Sequence, residues 1–217
     1  MIKINLKYCT LAKLDELFCL KEIQEMPALT DWLSCPVDTS DFEHQMLGIL
    51  QKKLIGHVHD WNETELTIEF IGPLLALVNY SEEDFNFFAQ RTFSGKIGDV
   101  ELSGKPDGVI ASGKRLPEKP YFCFQEYKRE NDPEGDPAGQ VLGAMLVAQE
   151  LNDYEHPIYG CYIKGGIWYF VVLQGKEYSI SPPYVAVRED IFTILSILKA
   201  LKPIIRALIK CKNNVII

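Results

Sequence analysis

The chain has 217 residues, 47% of them hydrophobic, which suits one globular domain with a helical extension. Its formal net charge of -8 counts against a protein that lives by tight, non-specific neutralisation of nucleic-acid phosphates. The six cysteines show no C-x-x-C or zinc spacing, MIKINLKYCT lacks the apolar run of a signal peptide, and no apolar stretch reaches the ~18 residues of a membrane span; a reduced, cytoplasmic protein is expected.

Residues 1–36 read as a helical preamble. Thr10 caps a helix whose stripe is Leu11, Leu14, Leu17 and Phe18, and a second short helix falls near 28–33. Ser40 with Glu43 is a capping-box signature, and Phe42, Met46, Ile49, Leu50 and Leu54 keep helical spacing to about His59. Asn62 with Glu65 repeats the box and opens a helix through Leu66, Phe70, Leu74 and Leu77, which Gly72-Pro73 should kink or interrupt. Residues 84–93 and 97–103 read as strands joined by a Ser94-Gly95 turn. Residues 107–112 and 121–129 read as an antiparallel pair around the loop GKRLPEKP. NDPEGDP breaks the chain before a helix over 138–151. Two strands over 158–173 flank Lys164-Gly165-Gly166, and a third lies near 177–181. A last helix over 188–211 is bent by Pro203, and its stripe from Ile191 to Leu208 suits core packing first and a dimer seam second. The order predicts an α/β (mixed α+β) fold, a central mixed sheet flanked by helices, with an N-terminal helical extension (1–61) packed on a core (62–217) that includes the C-terminal helix.

The stretch YFCFQEYKRE carries the chemistry. Side chains alternate along a strand, so Phe122, Phe124, Glu126 and Lys128 should share a face that starts in a core and ends in charge. A hairpin symmetric about Leu116-Pro117 places Asp107 opposite Glu126, and directly opposed Cβ atoms lie roughly 4.5–5.5 Å apart, where like charges destabilise. Such a pair is resolved by protonating one carboxyl, by a lysine such as Lys128, or by a divalent cation.

Pro106-Asp107 followed on the partner strand by Glu126-x-Lys128, then by a helix and a further strand, resembles the PD-(D/E)XK nuclease superfamily with its restriction-endonuclease-like fold, over about residues 62–175. The resemblance implies metal-dependent hydrolysis of phosphodiester bonds in DNA. Mg²⁺ or Mn²⁺ would be held by Asp107, Glu126, the backbone carbonyl of Tyr127 and a glutamate of the preceding helix. Glu65 fits that place best, with Glu63 and Glu69 as alternatives. Lys128 would be the catalytic lysine. Gln140 matches a helix glutamine of the exonuclease-like branch, although position 144 is alanine where that branch has tyrosine. Lys114 and Arg115, in the hairpin loop, are candidates for contacts to a nucleic-acid backbone. DNA is the expected partner, bound weakly and with salt sensitivity given the net charge. The same fold without catalysis, as a module binding a protein, nucleic acid or a second copy, is the alternative. No P-loop and no G-x-S-x-G elbow competes with this reading.

Overall fold

The N-terminal segment carries strands as well as the expected helices. The structure, a computed structural model, describes residues 2–35, 37–132 and 135–214; Pro133 and Glu134 of the NDPEGDP break lie outside them. The chain opens with β1 (Ile2–Asn5), a 3-10 turn (Leu6–Tyr8), α1 (Leu11–Phe18), β2 (Lys21–Glu22) and α2 (Pro27–Ser34). The alternation of Ile2, Ile4 and Leu6 with Lys3 and Asn5 is a strand signal, but it is too short to stand out locally. Next come α3 (Asp41–His57), α4 (Glu63–Leu66), a π-helical turn (Thr67–Ile71) and α5 (Gly72–Val78). The π turn is the form that the Gly72-Pro73 interruption takes: the Gly72 N–H donates to the Thr67 carbonyl five residues back.

The remaining elements are β3 (Asn86–Ala89), β4 (Phe93–Ile97), β5 (Val100–Gly104), β6 (Gly108–Ser112), β7 (Glu118–Lys128), α6 (Pro137–Leu151), β8 (Ile158–Lys164), β9 (Ile167–Gln174), β10 (Glu177–Ile180), β11 (Tyr184–Val185) and α7 (Asp190–Asn214). Ser94 and Gly95 lie inside β4, so the expected turn there is wrong. The two-residue turn is Gly98-Asp99, with Gly98 at φ +57°. Gly95 serves packing instead, since a Cβ there would stand 2.6 Å from Val147 Cγ1 of α6.

Two sheets result. One has the order β1-β5-β4, with β1 parallel to β5. The other runs β2-β10-β9-β8-β7-β6-β3, with β11 added on β9, which makes eight strands. Within it β6 and β7 are antiparallel, and β7 and β8 are parallel. A parallel neighbour needs a crossover, and α6 provides it. This helix is wedged between the large sheet and the small one, which explains why it is apolar on every side rather than amphipathic. Helices α2, α3, α5 and α7 cover the opposite face of the large sheet. There the α7 stripe, Ile191, Ile194, Leu195, Leu198, Leu201 and Ile205, is fully buried in the core. Trp32 of α2 anchors the same layer: it is buried edge-on to Tyr159 and Phe170, and its Nε1–H donates to the Ile197 carbonyl at 2.8 Å.

The N-terminal segment is fastened to α6 at its first turn. Asp136, the N-cap of α6, accepts from the Gly139 N–H at 3.0 Å and from the Leu11 N–H at 2.8 Å, so one carboxylate satisfies orphan donors of two helices. The backbones touch beside it. A Cβ on Gly139 would stand 2.5 Å from Thr10 Cα and 2.7 Å from the Cys9 carbonyl oxygen. Backbone atoms on both sides leave little to give, so Gly139→Ala should destabilise by about 1–3 kcal/mol. The melting temperature should then fall by roughly 3–10 °C for a chain of this size. A melting temperature unchanged by the substitution would mean that the N-terminal segment is held elsewhere.

Candidate active site

The β6–β7 pair has the register that hairpin symmetry predicts. Gly108 pairs with Gln125, Val109 with Phe124 and Ile110 with Cys123, and the next step brings Asp107 opposite Glu126. Register shifts between Ile110 and Ser112 absorb the uneven loop, on the side away from the carboxylates. They also overturn one expectation. Phe122 is turned to the α7 side with Cys123, while Phe124 packs on the α6 side.

At the end of this strand pair the side chains converge. The Tyr127 N–H donates to Asp107 Oδ2 at 2.8 Å, and the Gln90 N–H donates to the Asp107 carbonyl at 3.1 Å. Lys128 Nζ donates to Glu126 Oε1 at 2.9 Å, to the Tyr127 carbonyl at 3.1 Å and to Glu63 Oε2 at 3.2 Å. Glu126 is only 8% exposed. These groups and Gln140, on the first turn of α6, line one cleft of about 780 Å³. The Tyr127 phenol points to the other face, buried, and donates to Gln125 Oε1.

The electrostatics follow from crowding carboxylates in a poorly hydrated place. Burial, then the charge of Asp107, pushes the Glu126 carboxyl up to about 7, against the pull of Lys128. Burial also raises Asp107; the Glu63 charge adds to this, while the Tyr127 N–H and Lys128 oppose it. Burial works against the Lys128 ammonium, but Glu126, Glu63 and Asp107 outweigh it and hold its pKa above the ordinary lysine value.

The helix glutamate is Glu63, not Glu65. Glu65 Oε2 accepts from the Asn62 N–H at 2.8 Å while Asn62 Oδ1 caps the Glu65 N–H at 3.0 Å, so the capping box occupies this side chain at the surface. Positions two apart on a helix do not share a face, and Glu63 takes the cleft side. Glu69 is paired with Lys53. Lys114 and Arg115 are exposed at the loop end of the hairpin and do not line the cleft. Five strand steps of about 3.3 Å separate that end from Asp107, roughly 17 Å. The cleft has a wall that local sequence patterns did not reveal: Lys7, Tyr8, Cys9 and Thr10 line it, brought there by the Gly139 contact, together with Lys105.

Among the described residues no three His, Cys, Asp or Glu side chains are grouped as ligands of one metal ion. The Lys128 ammonium stands among the oxygens of Glu126, Glu63 and Tyr127. The donor chemistry nevertheless fits a hard divalent cation. Every available donor is oxygen, and the two central carboxyls are raised first by burial and then by one another's and Glu63's negative charge, which a bound cation would offset. The chain matches no protein-family model, and no curated protein matches it in sequence.

Proposed function

We propose that this chain is a divalent-metal-dependent nuclease that hydrolyses phosphodiester bonds in DNA, of the PD-(D/E)XK type with a restriction-endonuclease-like core. The observation that carries the reading is the meeting of Asp107, Glu126 and Lys128 at one end of an antiparallel pair, with Glu63 supplied by the preceding helix. The strand pair is followed by a buried crossover helix and a parallel strand, the element order that the resemblance implies.

Asp107, Glu126, Glu63 and the Tyr127 carbonyl would hold Mg²⁺ or Mn²⁺, which would supply positive charge at the attacked phosphoryl group. Lys128 contributes a fixed ammonium. Its carboxylate neighbours hold its pKa above the ordinary lysine value in the metal-free protein, and a charged ammonium there suits hydrogen bonds to developing negative charge. The Asp107 carboxylate is oriented by the Tyr127 N–H, which fixes its distance from the Glu126 strand. Gln140, at the start of α6, presents an amide to the same space and suits the orientation of a phosphate or a water. Few cations line the cleft and the net charge is -8, so binding of DNA is weak and falls with added salt.

A single experiment tests the site. Mn²⁺ binding, followed by the loss of its free spin-resonance signal, is compared for wild type and Asp107→Ala. The same preparations are assayed for single-turnover cleavage of labelled single-stranded, nicked and linear duplex DNA. Asp107→Ala should lose metal and cleavage together, because it removes a ligand. Cleavage that survives the substitution would exclude this site. A wild type that neither binds Mn²⁺ nor cuts any substrate would favour the catalytically inactive module, in which Lys128 alone balances the carboxylates.

A further inference from the structure

Resting on the nuclease reading, the geometry points to an unpaired DNA strand as the substrate, with Tyr8 as the ring on which one of its bases stacks. Tyr8 lines the cleft that holds Asp107, Glu126 and Lys128, yet it is 66% exposed. Of the nine large hydrophobic side chains exposed among the described residues, Tyr8 alone lines this cleft.

The backbone beneath the ring is rigid. Tyr8 ends a 3-10 turn that Asn5 caps through the Lys7 N–H at 3.0 Å. The next residue, Cys9, is 1% exposed. It is held against α6, where Cys9 Sγ would lie 3.1 Å from a Cβ on Gly143 and the Cys9 carbonyl oxygen 2.7 Å from one on Gly139. The backbone that carries the ring is thus held in place by its neighbours, which limits what has to be ordered when a base settles on it.

Charge decides between a duplex and a single strand. A duplex is gripped mainly through its phosphates, and its bases already stack on one another. Here the rim offers Lys7 and Lys105, both exposed, while Asp132 and Asp136 also line the cleft and the chain as a whole is strongly acidic. Two lysines neutralise only a short stretch of backbone. The remaining affinity has to come from contacts that ignore charge, and stacking of an unpaired base on an aromatic ring is the contact that this rim provides. The strand would pass Tyr8 with flanking phosphates on Lys7 and Lys105, leading one phosphodiester to Lys128.

The test uses the full-length chain without divalent ions, so that it reads binding and not cleavage. Fluorescence anisotropy compares a short labelled oligothymidine with a duplex of equal length, for wild type, Tyr8→Ala and Tyr8→Trp. Wild type should prefer the single strand. Tyr8→Ala should weaken single-strand binding by roughly ten- to a hundred-fold, Tyr8→Trp should restore it, and the dependence on salt should be the same for all three. An oligonucleotide carrying iodouracil should cross-link to Tyr8 on irradiation, located by peptide mass spectrometry. Tighter binding of the duplex, binding unaffected by Tyr8→Ala, or a cross-link that maps elsewhere would overturn the proposal. Failure of the nuclease reading shows up separately, as absent cleavage by a protein that still binds the single strand through Tyr8.

Discussion

On the proposed nuclease reading, Lys128→Met should lower single-turnover cleavage by about a hundred- to a thousand-fold, the effect of losing about 2.7–4 kcal/mol when one donor aimed at developing charge is removed. The expectation rests on where the ammonium is held. Three oxygens, from Glu126, Glu63 and the Tyr127 carbonyl, hold Nζ at 2.9–3.2 Å in the metal-free protein; the same oxygens are the proposed ligands of the divalent ion, so a bound ion would share them and keep the ammonium beside it. In the metal-free protein the carboxylates hold its pKa above the ordinary lysine value. The variant also loses the counter-ion of the carboxylate cluster, so its melting temperature has to be measured beside its rate. Methionine preserves most of the stem's packing, which separates loss of charge from loss of volume. A variant that retains cleavage within about ten-fold of wild type would reduce Lys128 to a counter-ion and remove it from the chemistry.

The meeting of Asp107, Glu126 and Lys128 was legible because it depends on local rules. Strand alternation and hairpin symmetry need only the sequence between Asp107 and Lys128, and the irregularities of β7 fall on the loop side, where they flip Phe122 without touching the Asp107–Glu126 register. Glu63 was open to the same reasoning, since a capping box commits its third residue to the backbone, and Glu65 was bound to be consumed that way. Lys114 and Arg115 misled because charge in a loop marks exposure, not proximity to a site a full strand length away. The wall formed by Lys7 to Thr10 had no local signal. It depends on contact between residues 10 and 139, and Gly139 and Gly143 within an otherwise good helix were the hints that another segment comes close. Gly95 is the opposite case: it was read as a turn former, whereas its lack of a side chain makes room for Val147.

Glu126→Gln should stabilise the divalent-free protein at pH 8 while abolishing its cleavage. The sign follows from linkage. Glu126 rises from 4.5 to about 7 on folding, so the folded state binds this proton more tightly than the unfolded chain does. Its stabilising contribution is complete below about pH 4.5 and is lost as the pH climbs through 7. Above that, the charged carboxylate is held beside Asp107 against its preference. A shift of this size is worth at most about 3 kcal/mol, at about 1.4 kcal/mol per pH unit. Glutamine keeps the shape and removes the charge, and the pull of Lys128 on the charged carboxylate is already contained in the raised value. A gain of up to about 3 kcal/mol raises the melting temperature by up to roughly 6–12 °C. At pH 4.5 the wild-type carboxyl is protonated in the folded state, so there the two proteins should melt together. Adding Mn²⁺ at pH 8 should stabilise wild type and not the variant, because a ligand that binds only the folded state adds to its stability. The measurement is thermal unfolding across pH with and without Mn²⁺, beside single-turnover cleavage. A variant that melts lower than wild type at pH 8 would mean that Lys128 already satisfies the carboxylates, and the argument that they are poised for a divalent cation would fail with it.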